Sequence, residues 1–297
     1  MQQPAGDFGV SEELRERILA SEQCVIMLVG GSDTGKTTLA EKLADWLAPS
    51  GPVAIVDADM GQSHIGPPTT VGWGLVTGKF AGWDAIETEG FYFVGATSPV
   101  RNLLPTVVGA KLMCDAARSS ARFVIVDTTG LVTGSVGWIL KWSKIDALQP
   151  DVVLAIQRTD ELEPIVAPYR HTSCPTIVRM RTPEGVGRKT ADQRTAHRER
   201  LFGRYFENST TTELSGETVS VQCADEMSGY DPQNLINRVV SLRDATGGDM
   251  ALGILLEQDI RRNAFLVRTP LKDVDDVRSI VIGDLRISPD GRQLGSL

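Results

Sequence analysis

Four cysteines, three histidines and an aromatic content of 6% in 297 residues exclude several classes of protein at once. Cys24, Cys114, Cys174 and Cys223 lie far apart with no C-x-x-C pair among them. Neither a zinc ribbon nor a disulfide framework is expected, and the thiols read as buried or incidental. His64, His171 and His197 are equally scattered, so no metal-ligand spacing emerges from them. Apolar runs such as Cys24 to Val29 fall well short of the roughly 20 residues that a membrane-spanning helix needs. The opening MQQPAGDFGV has neither a basic start nor an apolar stretch and does not read as a signal peptide. A cytoplasmic protein with no membrane partner is the expectation. Internal repeats and low-complexity tracts are also lacking. Net positive charge is lacking too: the balance of −8 argues against a surface that coats long nucleic acid through many phosphate contacts.

That charge is unevenly spread. Between Ile177 and Tyr205, eight basic residues stand against three acidic ones, so a local anion site is compatible with an acidic protein. Composition is otherwise that of a folded soluble chain, with 41% hydrophobic and 23% charged residues. The length suits one large core with a smaller second domain. Residues 11–21, SEELRERILAS, predict an amphipathic helix with Ser11 as N-cap and Glu12 and Glu13 in its first turn. Continuous apolar runs follow at CVIMLVG, VAIVDAD, FYFVGA, RFVIVDTTG, DVVLAIQ and PTIVRM, several separated by helix-length segments such as LLPTVVGAKLMCDAARSS. Buried strands alternating with helices predict an α/β fold, a parallel sheet covered on both faces, with its ligand beyond the carboxyl ends of the strands. After about residue 207 the pattern changes to strand-like segments joined by short turns: TVSVQC, RVVSLRD, MALGILLEQDI, AFLVRTPL and VRSIVIGDLRI. The expected division is therefore a P-loop domain over 1–207, including an arginine-rich lid at about 183–206, and a small β-rich domain over 208–297. The second carries no recognisable catalytic constellation and is expected to have a structural or docking role toward a protein partner.

The most specific motif is Gly30-Gly31-Ser32-Asp33-Thr34-Gly35-Lys36-Thr37-Thr38, a G-x-x-x-x-G-K-T pattern that ordinary residue frequencies produce by chance in roughly one chain per hundred of this length. Glycines at its ends let the backbone curl so that successive N–H groups and the following helix N-terminus face an anion. Lys36 is expected on the β and γ phosphates of ATP or another nucleoside triphosphate. Thr37 is expected on Mg²⁺.

The second informative stretch is VAIVDADMGQSHIGPPTT. If the chain stays extended there, Asp57 and Asp59 project to the same side: one suits the metal's water shell, the other a proton transfer. Such a pair suggests phosphoryl transfer to a hydroxyl, because the acceptor must lose its proton to a positioned base. Asp127, closing FVIVDTTG, competes for the metal role. DTTG also fits the D-x-x-G of GTPase switches, and a GTPase or metallochaperone-type switch is the rival reading, beside a small-molecule kinase and a nucleotide-binding scaffold without kinase activity. A GTPase would read guanine with Asn-Lys-x-Asp after a later strand; Gln157-Arg158-Thr159-Asp160 stands there instead.

Taken in order, VGGSDTGKTT, VDADMGQSHIGPPTT, GATSPVRN, DTTGLVTG and the arginine-rich stretch resemble the polynucleotide 5′-hydroxyl kinases, a family that includes the kinase subunit of the mRNA cleavage factor, nucleolar pre-rRNA-processing kinases and short archaeal and bacterial relatives. The resemblance spans about residues 24–206, and MALGILLEQD to IVIGDLRI is similar to the C-terminal part of the short members. It implies transfer of the γ-phosphate of ATP or another NTP to the 5′-hydroxyl end of RNA or DNA. By the same resemblance Lys36 and Thr37 are phosphate and metal ligands and Asp59, in D-x-G-Q, is the general base, while the paired carboxylates of Asp57 and Asp59 stay the candidates beside the metal. Gln62, Thr129 and Gly130 fall near the acceptor strand. Ser98 and Asn102, in TSPVRN, fall on a clasp over the P-loop lysine. Arg188, Arg194 and Arg198 fall in the lid that stabilises the transferring phosphoryl group. Two positions depart from the pattern. Leu131 replaces a tryptophan that stacks on a base in eukaryotic members, and His64 stands where an acidic residue is expected among the short ones.

Overall fold

A computed structural model describes residues 10–183, 185, 187–223 and 235–296, and the chain divides into two compact units. The first runs to Gly66 and adds Val71–Phe91 and Ser98–Lys189; the second takes Pro67–Thr70 and Tyr92–Thr97 together with the chain from Thr190 onward.

The sheet of the first unit contains β1 (Cys24–Gly30), β2 (Val53–Ala58), β3 (Thr70–Val76), β4 (Gly90–Phe93), β5 (Phe123–Thr128), β6 (Val152–Gln157) and β7 (Thr176–Arg181). Their order is β4-β3-β2-β5-β1-β6-β7, and the unit boundary cuts through β3 and β4. β2, β5, β1, β6 and β7 run parallel, while β3 is antiparallel to β2. Every residue of β1, β2, β5 and β6 is buried, which is why these strands read as unbroken apolar runs: both faces need cover. β3, TVGWGLV, is not among the expected strands. Gly72 and Gly74 give it little intrinsic strand preference, and its pairing with β2 supplies what the local sequence does not.

Helices α1 (Glu12–Ala20), α2 (Lys36–Leu47), α3 (Leu103–Ser120), α4 (Gly134–Leu148) and the short α5 (Glu163–Val166) complete the described elements of this unit's α/β layers, apart from brief 3-10 turns. At the start of α1 the Ser11 hydroxyl accepts from the Leu14 amide at 3.3 Å, and Leu14 and Ile18 are buried. α2 buries Leu39, Ala40, Leu43, Ala44 and Leu47, a single stripe at helical spacing. Arg122 fastens the opposite edge, donating to the carbonyls of Leu19, Ser21 and Ser50 at 2.6, 2.9 and 2.7 Å.

The second unit holds α6 (Ala191–Phe206) and the strands β8 (Thr210–Ser215), β9 (Ser220–Gln222), β10 (Arg238–Arg243), β11 (Asp249–Asp259), β12 (Ala264–Thr269), β13 (Ser279–Ile287) and β14 (Gln293–Ser296). They order as β14-β13-β10-β11-β12-β8, with β9 pairing β13 in parallel. Leu214, Val240, Leu242, Phe265, Val267 and Ile280 belong to its core. α6 groups with this sheet, although the sequence division sets the boundary at 207. Phe202 and Phe206 are buried, Tyr205 Oη accepts from the Leu252 amide at 2.9 Å, and Glu199 accepts from the Gln293 amide at 2.9 Å. The change of pattern near 207 marks a switch from helix to strand, and the packing of α6 sets the division of the units at 189/190. Among the described residues no helix is long and apolar enough to cross a membrane.

Thiol chemistry checks this burial. Cys24 and Cys114 lie inside, where desolvation pushes their thiols up to about 12 and about 11, whereas Cys174 is exposed. Partial burial and Asp151 raise the Cys174 thiol too, so access decides the contrast: Cys174 is expected to label with a thiol reagent in the native protein. Cys24 and Cys114 are expected to label only on unfolding, as read by peptide mass spectrometry.

Candidate functional site

The P-loop leaves β1 at Gly30 and enters α2 at Lys36. Gly35 holds the N-cap position at φ 90°, a left-handed conformation that costs a residue with a Cβ but not glycine. Thr34 is buried and its Oγ1 donates to the Gly31 carbonyl at 3.0 Å; Lys36 Nζ donates to the same carbonyl at 2.7 Å. Ser32 and Thr38 are exposed at the rim, and Asp33 adopts φ 54°. Arg158, at the end of β6, donates to the Ser32 and Asp33 carbonyls at 3.3 and 2.6 Å, and the Lys189 amide donates to the Asp33 carboxylate at 3.2 Å.

Across from the loop, Asp57 on β2 and Asp127 on β5 are register partners on adjacent parallel strands. Both are buried, at 3% and 4% exposure. Burial first, and then the neighbouring Asp127, push the Asp57 carboxyl up to about 8. Asp127 is likewise raised by burial, with Lys36 acting against the shift. Their partners differ. The Asp57 carboxylate accepts from the amides of Asp59, His64 and Ile65, which ties it to the loop after β2. Asp127 Oδ2 accepts from Thr37 Oγ1 at 3.0 Å, and its Oδ1 is buried without a hydrogen-bond partner. β2 ends at Ala58; at Asp59 the chain turns, with the Gln62 amide on its carbonyl and the Gly61 amide on its carboxylate. The extended geometry that would send Asp57 and Asp59 to one side is therefore not kept. Asp59 and Gln62 are half-buried in this turn. His64 stacks on Trp83 with centroids 4.9 Å apart, which gives that departure from the family pattern a packing role.

Two further lysines lie against the ends of β2 and β5. Lys141 and Lys144 on α4 are fully buried. Lys141 Nζ donates to Thr128 Oγ1 at 2.8 Å and to the Thr129 carbonyl at 2.5 Å; Lys144 Nζ donates to the Ala58 carbonyl at 3.4 Å. Burial, then Lys144 and Lys36, hold Lys141 well below the usual lysine range, and burial lowers Lys144 to about 8 against the pull of Asp59, Asp57 and Asp127. Thr129 and Gly130 lie against the P-loop: a Cβ at Gly130 would stand 2.6 Å from the Ser32 amide nitrogen.

Ser98 and Asn102 form the turn that starts α3. The Ser98 hydroxyl accepts from the Val100 amide at 3.3 Å, and the Asn102 carbonyl accepts from both Thr106 groups. Arg188 is exposed in the first unit, next to the Lys189 amide on Asp33. Arg194 and Arg198 belong to the second unit, on a helix whose Thr190 and Gln193 form a capping box. There Arg198 donates to Gln293 Oε1 at 2.9 Å and to Thr195 Oγ1 at 3.0 Å.

Residues 30–208 match the family described as mRNA cleavage and polyadenylation factor CLP1 P-loop. The chain belongs to this family. Over 96% of its length it is 28% identical to a polyribonucleotide 5′-hydroxyl-kinase of Pyrococcus furiosus, covering 94% of that protein. A polyribonucleotide 5′-hydroxyl-kinase of Methanocaldococcus jannaschii is 29% identical, with 92% of this chain and 89% of the relative aligned. The structure of the wild-type Clp1p–Pcf11p complex superposes with a TM-score of 0.70 over 92% of this chain and 77% of that one, at 14% identity.

The matched CLP1 P-loop segment takes in the P-loop, both aspartate strands, α4 and α6. Sequence reasoning missed Arg158, Lys141 and Lys144 as members of the site. Arg158 had a signal, since it stands where a guanine-reading element would be compared. The lysines of LKWSKI sit three apart on a helix, a spacing common on solvated faces, and only packing shows that they point inward. Contact between the DTTG turn and the P-loop gives a direct check. Gly130→Ala is expected to weaken binding of an ATP analogue about tenfold or more in calorimetry, because a clash with backbone costs on the order of 1 to 3 kcal/mol. Unchanged affinity in the folded variant would place the turn away from the nucleotide loop.

Proposed function

We propose that this protein is an NTP-dependent polynucleotide 5′-hydroxyl kinase, transferring the γ-phosphate of ATP or another nucleoside triphosphate to the 5′-hydroxyl of RNA or DNA. The observation that carries the reading is the separation of carboxylate roles: Asp127 pairs with the P-loop threonine, while Asp59 stands on a different loop beside Gln62. A hydrolytic switch needs only the first. Transfer to an alcohol needs a second group to take its proton.

Mg²⁺ fits the first position. Thr37 Oγ1 and the unpartnered Asp127 Oδ1 are hard oxygen donors, and a cation held there would neutralise charge on the β and γ phosphates. Asp57 is assigned to the support of the Asp59 loop, since three amides already occupy its carboxylate. Lys36 and the amides from Gly30 to Thr38 hold the phosphate chain. Asp59 accepts the proton of the 5′-hydroxyl as that oxygen forms its bond to the γ-phosphorus and the bond to the β–γ bridging oxygen breaks, releasing the nucleoside diphosphate. Gln62, Thr129 and Gly130 are assigned to the acceptor strand. Ser98 and Asn102 are assigned to the clasp. Arg188, Arg194 and Arg198 are assigned to the charge of the transferring group. The names of the archaeal relatives support RNA as acceptor, and DNA remains part of the proposal. Four free thiols suit a cytoplasmic address, and the β-rich unit is proposed to dock a protein partner.

Labelled γ-phosphate transfer to 5′-hydroxyl RNA and DNA oligonucleotides, with nucleosides and no acceptor as controls, tests the reading. Transfer to oligonucleotides is expected, with loss in Lys36→Ala, in Asp59→Asn and on chelation of Mg²⁺. At least one alanine change among Arg188, Arg194 and Arg198 is expected to lower kcat on the order of 10³- to 10⁵-fold. Transfer to nucleosides alone, or hydrolysis without transfer, would overturn it.

A further inference from the structure

Lys141 and Lys144 stand one helical turn apart on α4, and both are fully buried. Two lysines are rarely placed this deep unless partners hold their amines there. We propose that Lys141 and Lys144 are positioning residues for phosphoryl transfer, holding the ends of β2 and β5, and through them Asp59 and Thr129-Gly130, in register with the P-loop. This inference rests on the kinase reading and extends it to two residues that do not touch the substrates.

The hydrogen bonds define what each lysine holds. Lys144 Nζ donates to the Ala58 carbonyl at 3.4 Å, and the N–H of the same peptide unit, on Asp59, donates to Asp57 Oδ1 at 3.0 Å. The peptide that presents the proposed base is thus held at both its ends, one by the Lys144 amine and the other by the Asp57 carboxyl group. Lys141 Nζ donates to Thr128 Oγ1 and to the Thr129 carbonyl, and Thr128 Oγ1 donates onward to the Leu28 carbonyl at 2.7 Å. Leu28 lies on β1, which runs into the P-loop. Because the Gly130 turn rests against Ser32, movement of the Thr129 carbonyl passes straight to the phosphate cradle. One helix therefore governs the distance between the acceptor side and the nucleotide side.

Charge points the same way. Asp59 and Asp127 act on both lysines, and Asp57 acts on Lys144 as well. If the lysines served stability alone, apolar residues of similar volume would do as well or better.

Lys141→Met and Lys144→Met fill the same space without the amine. Each is compared with the wild type by thermal unfolding, by equilibrium binding of a non-hydrolysable ATP analogue, and by kcat and KM for a 5′-hydroxyl oligoribonucleotide. The melting temperature is expected to stay or rise and the analogue to bind within about twofold, while kcat falls on the order of 10²-fold, the effect of misplacing reacting groups by about 1 Å. A kcat within about twofold of the wild type in a folded variant overturns the assignment for that lysine. So does an activity loss that merely follows lost stability or lost analogue binding. If a methionine variant does not fold, the alanine variant is assayed with propylamine and with 1-propanol. Rescue by the amine alone supports the proposal, and equal rates in both overturn it. A wild type that transfers no phosphate to oligonucleotides rejects the kinase reading itself, whereas an active wild type with unchanged variants rejects only this inference.

Discussion

Asp57 and Asp127 face one another across the β2–β5 ladder, side by side and nearly without solvent contact. Two carboxylates so placed cannot both ionise without help, because burial and mutual repulsion each disfavour the charged form. Much of the surrounding design answers this constraint. The loop after β2 folds back to place three amides on Asp57. The P-loop threonine donates to Asp127. From α4, two buried lysine amines reach the ends of both strands. Each compensating group also fixes a piece of backbone, so the electrostatic solution is at the same time a geometric one.

The proposed division of labour among the acids rests on their partners. Adjacent strand ends in a parallel sheet bring side chains together beyond the carboxyl edge, where ligands bind in such folds. Of the three aspartates there, one is occupied by the loop it organises, one is joined to the P-loop, and one sits half-buried in a turn beside Gln62. Identical side chains thus stand in three different surroundings, set by burial and hydrogen bonding.

Much of this was legible beforehand. The parallel strands announce themselves as unbroken apolar runs because they are covered on both faces, and the P-loop is a motif whose spacing is its mechanism. That Asp57 and Asp59 do not project to one side was not legible in VDADMG, because alternation along a strand says nothing about where the strand ends; the chain turns one residue after Ala58. β3 was hidden by its glycines. Lys141 and Lys144 were invisible for a different reason: lysine is so seldom buried that a helical pair reads as a solvated face until tertiary packing contradicts it. The position of α6 was masked likewise, since Phe202 and Phe206 mark an apolar stripe without naming the sheet it covers.

Which carboxylate meets the acceptor and which meets the metal decides how the proposed transfer runs. A crystal structure of the protein with a non-hydrolysable ATP analogue, Mg²⁺ and a short 5′-hydroxyl oligoribonucleotide measures this directly. The expected result has the metal bound through Thr37 and the Asp127 side, Asp57 still held by the amides of Asp59, His64 and Ile65, and the 5′-hydroxyl within hydrogen-bond distance of Asp59. A 5′-hydroxyl directed at another group, or Asp57 released from its amides to ligate the metal, would contradict it.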